Sequence, residues 1–135
     1  IMHKTKIVTT FLTNSDKILL LKRSQKVKSM KNLWAGISGI IEGDEEPVKR
    51  AKIEVYEEVG IEESNIKLIK EGDVILIESP QYENHQWEVY PFLFSCDNRE
   101  VKLNWENSDS KWISVNELND FTTVPSLDKV LTRLF

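Results

Sequence analysis

The sequence predicts a layered α/β domain, on three observations. Stretches rich in β-branched and aromatic residues lie on both sides of one amphipathic helical segment, Pro47 to Val59. A second helical pattern closes the chain, with Leu127, Val130, Leu131 and Leu134 at helical spacing. No repeat, low-complexity tract or Pro/Gly linker interrupts the 135 residues, so a single domain over 1–135 is expected. Strands, helix, strands, helix is the order of a sheet covered by helices.

Each element has a local reason. Lys6 to Thr13 is β-branched and reads as a strand, Asn14-Ser15-Asp16 as a turn, and Lys17 to Arg23 as the returning strand. Ser24 to Lys31 is a polar, basic loop. Leu33 to Ile41 reads as a short strand whose Ala35, Gly36, Ser38 and Gly39 let backbone approach a ligand. Pro47 suits the first helical turn, Asp44, Glu45 and Glu46 its positive dipole end, and Gly60 the position just past its end. Val48, Ala51, Val55 and Val59 form the stripe that packs on the sheet. Ile66 to Glu78 and Trp87 to Cys96 read as strands, joined by a polar loop over 79–86 that holds Pro80, Tyr82 and His85. Val101 to Leu103 and Ser110 to Ser114 are shorter strand candidates; Val115 to Phe121 and Ser126 to Phe135 read as helices.

Composition narrows the function. The chain is 40% hydrophobic and 30% charged, with a net charge of −4, which argues against binding a nucleic-acid backbone through bulk charge. The single cysteine, Cys96, excludes an intrachain disulfide and fits a reducing compartment. No apolar run reaches the ~20 residues a membrane span needs. No signal peptide pattern precedes or follows Met2, the expected start, so a cytoplasmic location is expected. His85 has only the distant His3 for company, which speaks against zinc.

The chemistry concentrates in residues 39–61. Glu54, Glu57 and Glu58 sit at helical spacings of three and four, which put them on one face. Like charges so placed destabilise a helix by a few tenths of a kcal/mol, roughly, and a cation among them removes that penalty. Oxygen ligands alone suit a hard ion, Mg²⁺ or Mn²⁺.

This window resembles the Nudix box, G-x5-E-x7-R-E-U-x-E-E-x-G-U with U aliphatic. Gly39, Glu45, Glu54, Val55, Glu57, Glu58, Gly60 and Ile61 stand in register, while Ile53 occupies the place of the box arginine. The resemblance implies an α/β/α sandwich with a mixed sheet and the box helix on one face. It also implies hydrolysis of a diphosphate linked to another group, usually a nucleoside, and so a small-molecule nucleotide as partner. Glu54, Glu57 and Glu58 would carry Mg²⁺ or Mn²⁺ with the Gly39 carbonyl, and Glu57 or Glu58 would touch the attacking water. Glu45 would match the box by holding the loop to the helix. A further carboxylate from a later loop is expected, with Glu106 in Asn104-Trp105-Glu106-Asn107 placed ahead of Glu88 and Glu83.

Other assignments rest on residue chemistry. Lys22 and Arg23 end the second strand, and Arg23 can fork onto phosphate oxygens or stand solvated. Trp34, Trp87, Trp105 or Tyr82 could stack a base or pack in a core. Arg50, one turn before Glu54, can orient that carboxylate in place of the missing arginine or remain a surface pair. Ile53 favours a second reading, a nucleotide-binding module of the same fold that does not cleave. An isopentenyl diphosphate isomerase of this fold needs a cysteine context that Cys96 does not have.

Overall fold

The computed structural model describes residues 2–78 and 83–135. Its elements are β1 (His3–Asn14), β2 (Lys17–Arg23), β3 (Trp34–Ala35), β4 (Ile37–Ile40), α1 (Pro47–Val59), β5 (Ile66–Glu71), β6 (Ile75–Glu78), β7 (His85–Cys96), β8 (Asn107–Ile113) and α2 (Leu127–Thr132). Short 3-10 turns span Glu63–Asn65 and Val115–Asp120. Pro80 and Tyr82 of the expected loop lie outside the described residues.

The strands form one mixed sheet. Its path is β3-β2-β1-β7-β5, with β4 beside β1, β6 beside β7 and β8 beside β2. β1 and β7 run parallel, Val8 opposite Tyr90, while β4 pairs antiparallel with β1, Val8 opposite Gly39. The two-residue period of β1 and β7 sorts their side chains into two cores. Val8, Leu12, Phe92 and Phe94 face α1 and meet Ala51, Val55 and Val59. Phe11, Val89 and Leu93 face the other way and meet Leu118, Leu127 and Val130. Helices thus cover both faces of the sheet, the α/β/α layering that the sequence implies. Each fully buried Val, Leu or Phe contributes roughly 1.5–3 kcal/mol, so the stripe on α1 fixes that helix firmly against β1, β4 and β7.

The helix has the bounds its caps dictate. Pro47 stands at its start, and Gly60 ends it in the left-handed region at φ 73°, its N–H bonded to the Tyr56 carbonyl at 3.0 Å. Four other expectations are corrected. The expected strand over 66–78 is two strands, both antiparallel to β7: residues 72–74 leave the ladder between them, with the Gly72 N–H bonded to the Pro91 carbonyl at 3.0 Å. Val101 to Leu103 forms no strand; Lys102 N–H instead bonds the Val59 carbonyl at the end of α1. The segment from Val115 is a 3-10 turn begun by a Ser114–Glu117 capping box. The last helix is shorter than expected, at Leu127–Thr132. Among the described residues no helix is long and apolar enough to cross a membrane.

Candidate active site

The loop between β4 and α1 is drawn onto the helix by one arginine. Arg50 donates from Nε to Glu45 Oε1 at 2.6 Å and from Nη2 to Glu45 Oε2 at 3.1 Å, a bidentate grip. Its third nitrogen, Nη1, donates to Glu54 Oε2 at 3.1 Å. Glu45 also accepts the Glu42 backbone N–H at 2.7 Å. Arg50 and then this backbone bond hold the Glu45 carboxyl below its usual range. Only 13% of the Arg50 side chain is exposed, so the pair is shielded beyond an ordinary surface contact.

Two glutamates are buried at the centre. Glu54 is 8% and Glu58 3% exposed. Glu54 lies against Gly39 of β4 so closely that a Cβ there would collide with its carboxyl. Glu58 Oε1 accepts from Asn107 Nδ2 at 3.2 Å, while Glu58 Oε2 is buried and receives no hydrogen bond among the described residues. Burial above all pushes both carboxyls up; the Glu106 charge adds to the effect on Glu58, and Glu57 adds to that on Glu54 against the opposing bond from Arg50. The Glu54 charge also acts on Glu58 and adds to the upward push. Two buried carboxyls that act on each other need either a shared proton or a cation. The orphaned oxygen, the glycine cradle and the all-oxygen donor set fit a hard divalent ion.

The remaining predicted residues divide. Glu57 is exposed and lies beside Ile53, Tyr56 and Lys52 on the outer side of α1. Among the described residues no three acidic or imidazole side chains are gathered around one point. Glu106 is brought to the site: its charge acts on Glu58, and its loop is pinned by Ser24 N–H to the Glu106 carbonyl at 2.8 Å and Glu106 N–H to Asn104 Oδ1 at 3.0 Å. Glu83 is exposed in a turn, and Glu88 lies 3.9 Å from Lys4.

A cleft of about 350 Å³ opens on the α2 side of the sheet. Gly39, which lies against Glu54, and Glu106, whose charge acts on Glu58, line it; Glu54 and Glu58 do not. Arg23 lines it too, with Nε and Nη2 donating to the Ser29 carbonyl at 3.3 and 3.0 Å. Lys22 does not line the cleft; its backbone pairs with Trp34 and Asp109. Of the tryptophans, Trp87 lines the cleft, Trp34 packs edge-on against Phe121 at 5.2 Å, Trp112 donates to the Arg99 carbonyl, and Trp105 is 59% exposed.

Sequence reasoning missed Asn107, the donor that holds Glu58, although it directly follows Glu106 in a polar run. It also missed Thr9 as a cleft residue, since Thr9 reads as an ordinary strand position; Ala35, Ser38 and Gly39, singled out as small residues, do line the cleft.

A family model described as NUDIX domain matches residues 3–134. Solved structures of similar fold include a MutT protein from Methanosarcina mazei Go1, 21% identical, with a TM-score of 0.76 and coverage of 98% of this chain and 94% of that one. The E. coli ORF135 protein is 18% identical over 98% of this chain and 89% of its own, with a TM-score of 0.75. A C. elegans Ap4A hydrolase, solved as a binary complex, is 16% identical over 98% and 94%, with a TM-score of 0.74. At these identities the likeness establishes the fold. Comparison with curated protein sequences gives no match.

Proposed function

The chain belongs to the NUDIX domain family, and from that premise we propose that it hydrolyses the diphosphate bond of a nucleoside diphosphate linked to another group, using Mg²⁺ or Mn²⁺. The observation that carries this reading is the Glu54–Glu58 pair. Two neighbouring carboxyls are buried on one helix, one with an oxygen that no donor satisfies among the described residues. Buried, uncompensated charge is costly in a fold, and a cation offsets that cost.

Glu54, Glu58 and the Gly39 carbonyl would hold the ion. When bound, it neutralises diphosphate oxygens and stabilises charge on the leaving phosphate. The protein's own groups do the rest. Arg50 fixes the Glu54 carboxyl, and Asn107 fixes Glu58. Glu106, facing the cleft, takes the proton of the attacking water. Water adds its oxygen to phosphorus, the bridging P–O bond breaks, and the proton passes through Glu106 to solvent. Glu57, at the exposed edge, serves the solvent side of the same charge cluster. The C. elegans neighbour carries the name Ap4A hydrolase, and a longer polyphosphate chain suits the basic loop 24–31 beside the Arg23 end of the cleft.

Ile53, in the arginine position of the box, favours the second reading, a nucleotide-binding module without turnover. Hydrolysis assays over a panel of nucleotide diphosphate derivatives with Mg²⁺ separate the two. Metal-dependent release of a phosphorylated product supports the enzyme; tight binding with no cleavage of any member supports the module.

A further inference from the structure

We propose, resting on the reading above, that the Thr9–Ser38 hydroxyl pair meets the edge of the substrate's nucleobase and makes the site tolerant of which base that is. Thr9 and Ser38 stand opposite each other where β1 pairs with β4, and both line the cleft. Their hydroxyl oxygens are 3.2 Å apart, and either can be the donor. The charged lining residues, Arg23 and Glu106, mark the phosphate end; Ser29 belongs to that end too, since Arg23 holds its carbonyl. Around the pair the walls are apolar, with Ile7, Ile77, Val89 and the Trp87 ring among them. An apolar slot with few convergent polar groups is the usual form of a small-molecule site, and the base is the apolar-faced part of the proposed nucleotide substrate.

The chemistry of the pair sets its selectivity. Whichever hydroxyl gives its proton to the other, the second keeps one to offer, and both oxygens retain acceptor capacity. The pair therefore satisfies a ring carbonyl or an exocyclic amino group by rotating. Strong discrimination needs groups of fixed polarity that a wrong base leaves unpaired. Among the described lining residues there is no Asn, Gln or Asp side chain to play that part.

The test is calorimetric binding of the adenine, guanine, cytosine and uracil nucleoside monophosphates to the whole chain. The four dissociation constants are expected within about tenfold of one another. Thr9→Val and Ser38→Ala each weaken all four by about three- to tenfold, whereas Thr9→Ser, which keeps the hydroxyl, binds as the unaltered protein does. Should Thr9→Val fail to fold, Ser38→Ala decides. The proposal is overturned by absence of binding, by preference for one base beyond about a hundredfold, or by hydroxyl deletions that leave affinity unchanged. Binding as expected, without cleavage of any nucleotide polyphosphate in the presence of Mg²⁺, would remove the proposed reaction and leave the base-reading pair in place.

Discussion

Arg50 and Glu54 form a shielded ion pair one helical turn apart, Nη1 to Oε2 at 3.1 Å, in a helix whose box arginine is replaced by Ile53. The other edge of the same guanidinium grips Glu45, so one side chain ties the loop to the helix and aims a central carboxylate. Arg50→Ala is expected to lower divalent-metal affinity or kcat by about tenfold or more, and adding Ile53→Arg to restore part of the loss. Titration calorimetry and steady-state kinetics check this; unchanged metal affinity and turnover in Arg50→Ala would reduce the pair to a structural contact.

Gly39 is a steric requirement, because any Cβ collides with the Glu54 carboxyl. Gly39→Ala should displace that carboxylate and lower metal affinity by at least about tenfold while circular dichroism stays native. Wild-type affinity in this variant would mean that Glu54 does not ligate.

The buried pair also couples stability to pH. Glu54 and Glu58 hold protons more tightly in the fold than at their ordinary value of 4.5. Their contribution is therefore fully present below that value and is lost as pH rises through the folded values. Glu45 acts oppositely: its lowered value gives stability that is present above 4.5 and lost in acid. The metal-free protein should thus melt at lower temperature at about pH 8 than at about pH 5.5, and Mg²⁺ should raise the melting temperature more at the higher pH. Scanning calorimetry with and without Mg²⁺ reads both effects, and a cation response independent of pH would count against the pair as its site.

Arg23 holds the loop that carries Ser29 and Met30 into the cleft, and Met30 and Asn32 in that loop adopt left-handed φ values of 55° and 64°. Arg23→Ala should raise KM for a polyphosphate substrate and speed amide exchange over 24–33. Arg23→Lys should rescue little, since one ammonium cannot reproduce the fork. Unaltered exchange in Arg23→Ala would show that the loop keeps its shape by other means.

Much of the fold and part of the site could be read in the chain. The bounds of α1 coincide with Pro47 and Gly60 because both ends carry local signals. The break at Gly72 is not legible, because what surrounds it, Pro91 and Arg133, comes from elsewhere in the chain. The spacing of Glu54, Glu57 and Glu58 puts them on one helix face, but burial divides that face: Gly39 of β4 covers Glu54, Asn107 of β8 meets the buried Glu58, and Glu57 stays exposed. Asn107 acquires its role only when the fold brings it to a helix 49 positions away. Arg50 was legible because its partner lies four residues on.

The most direct test is kcat for a nucleoside diphosphate derivative as a function of Mg²⁺, in the unaltered protein and in Glu58→Gln. The amide keeps the size of the buried group and cannot carry its negative charge. The expected result is turnover that requires Mg²⁺ in the unaltered protein and falls by at least about a hundredfold in Glu58→Gln, with the fold intact. Turnover independent of divalent cations, or an unchanged Mg²⁺ dependence and rate in Glu58→Gln, would contradict the central role of the Glu54–Glu58 pair.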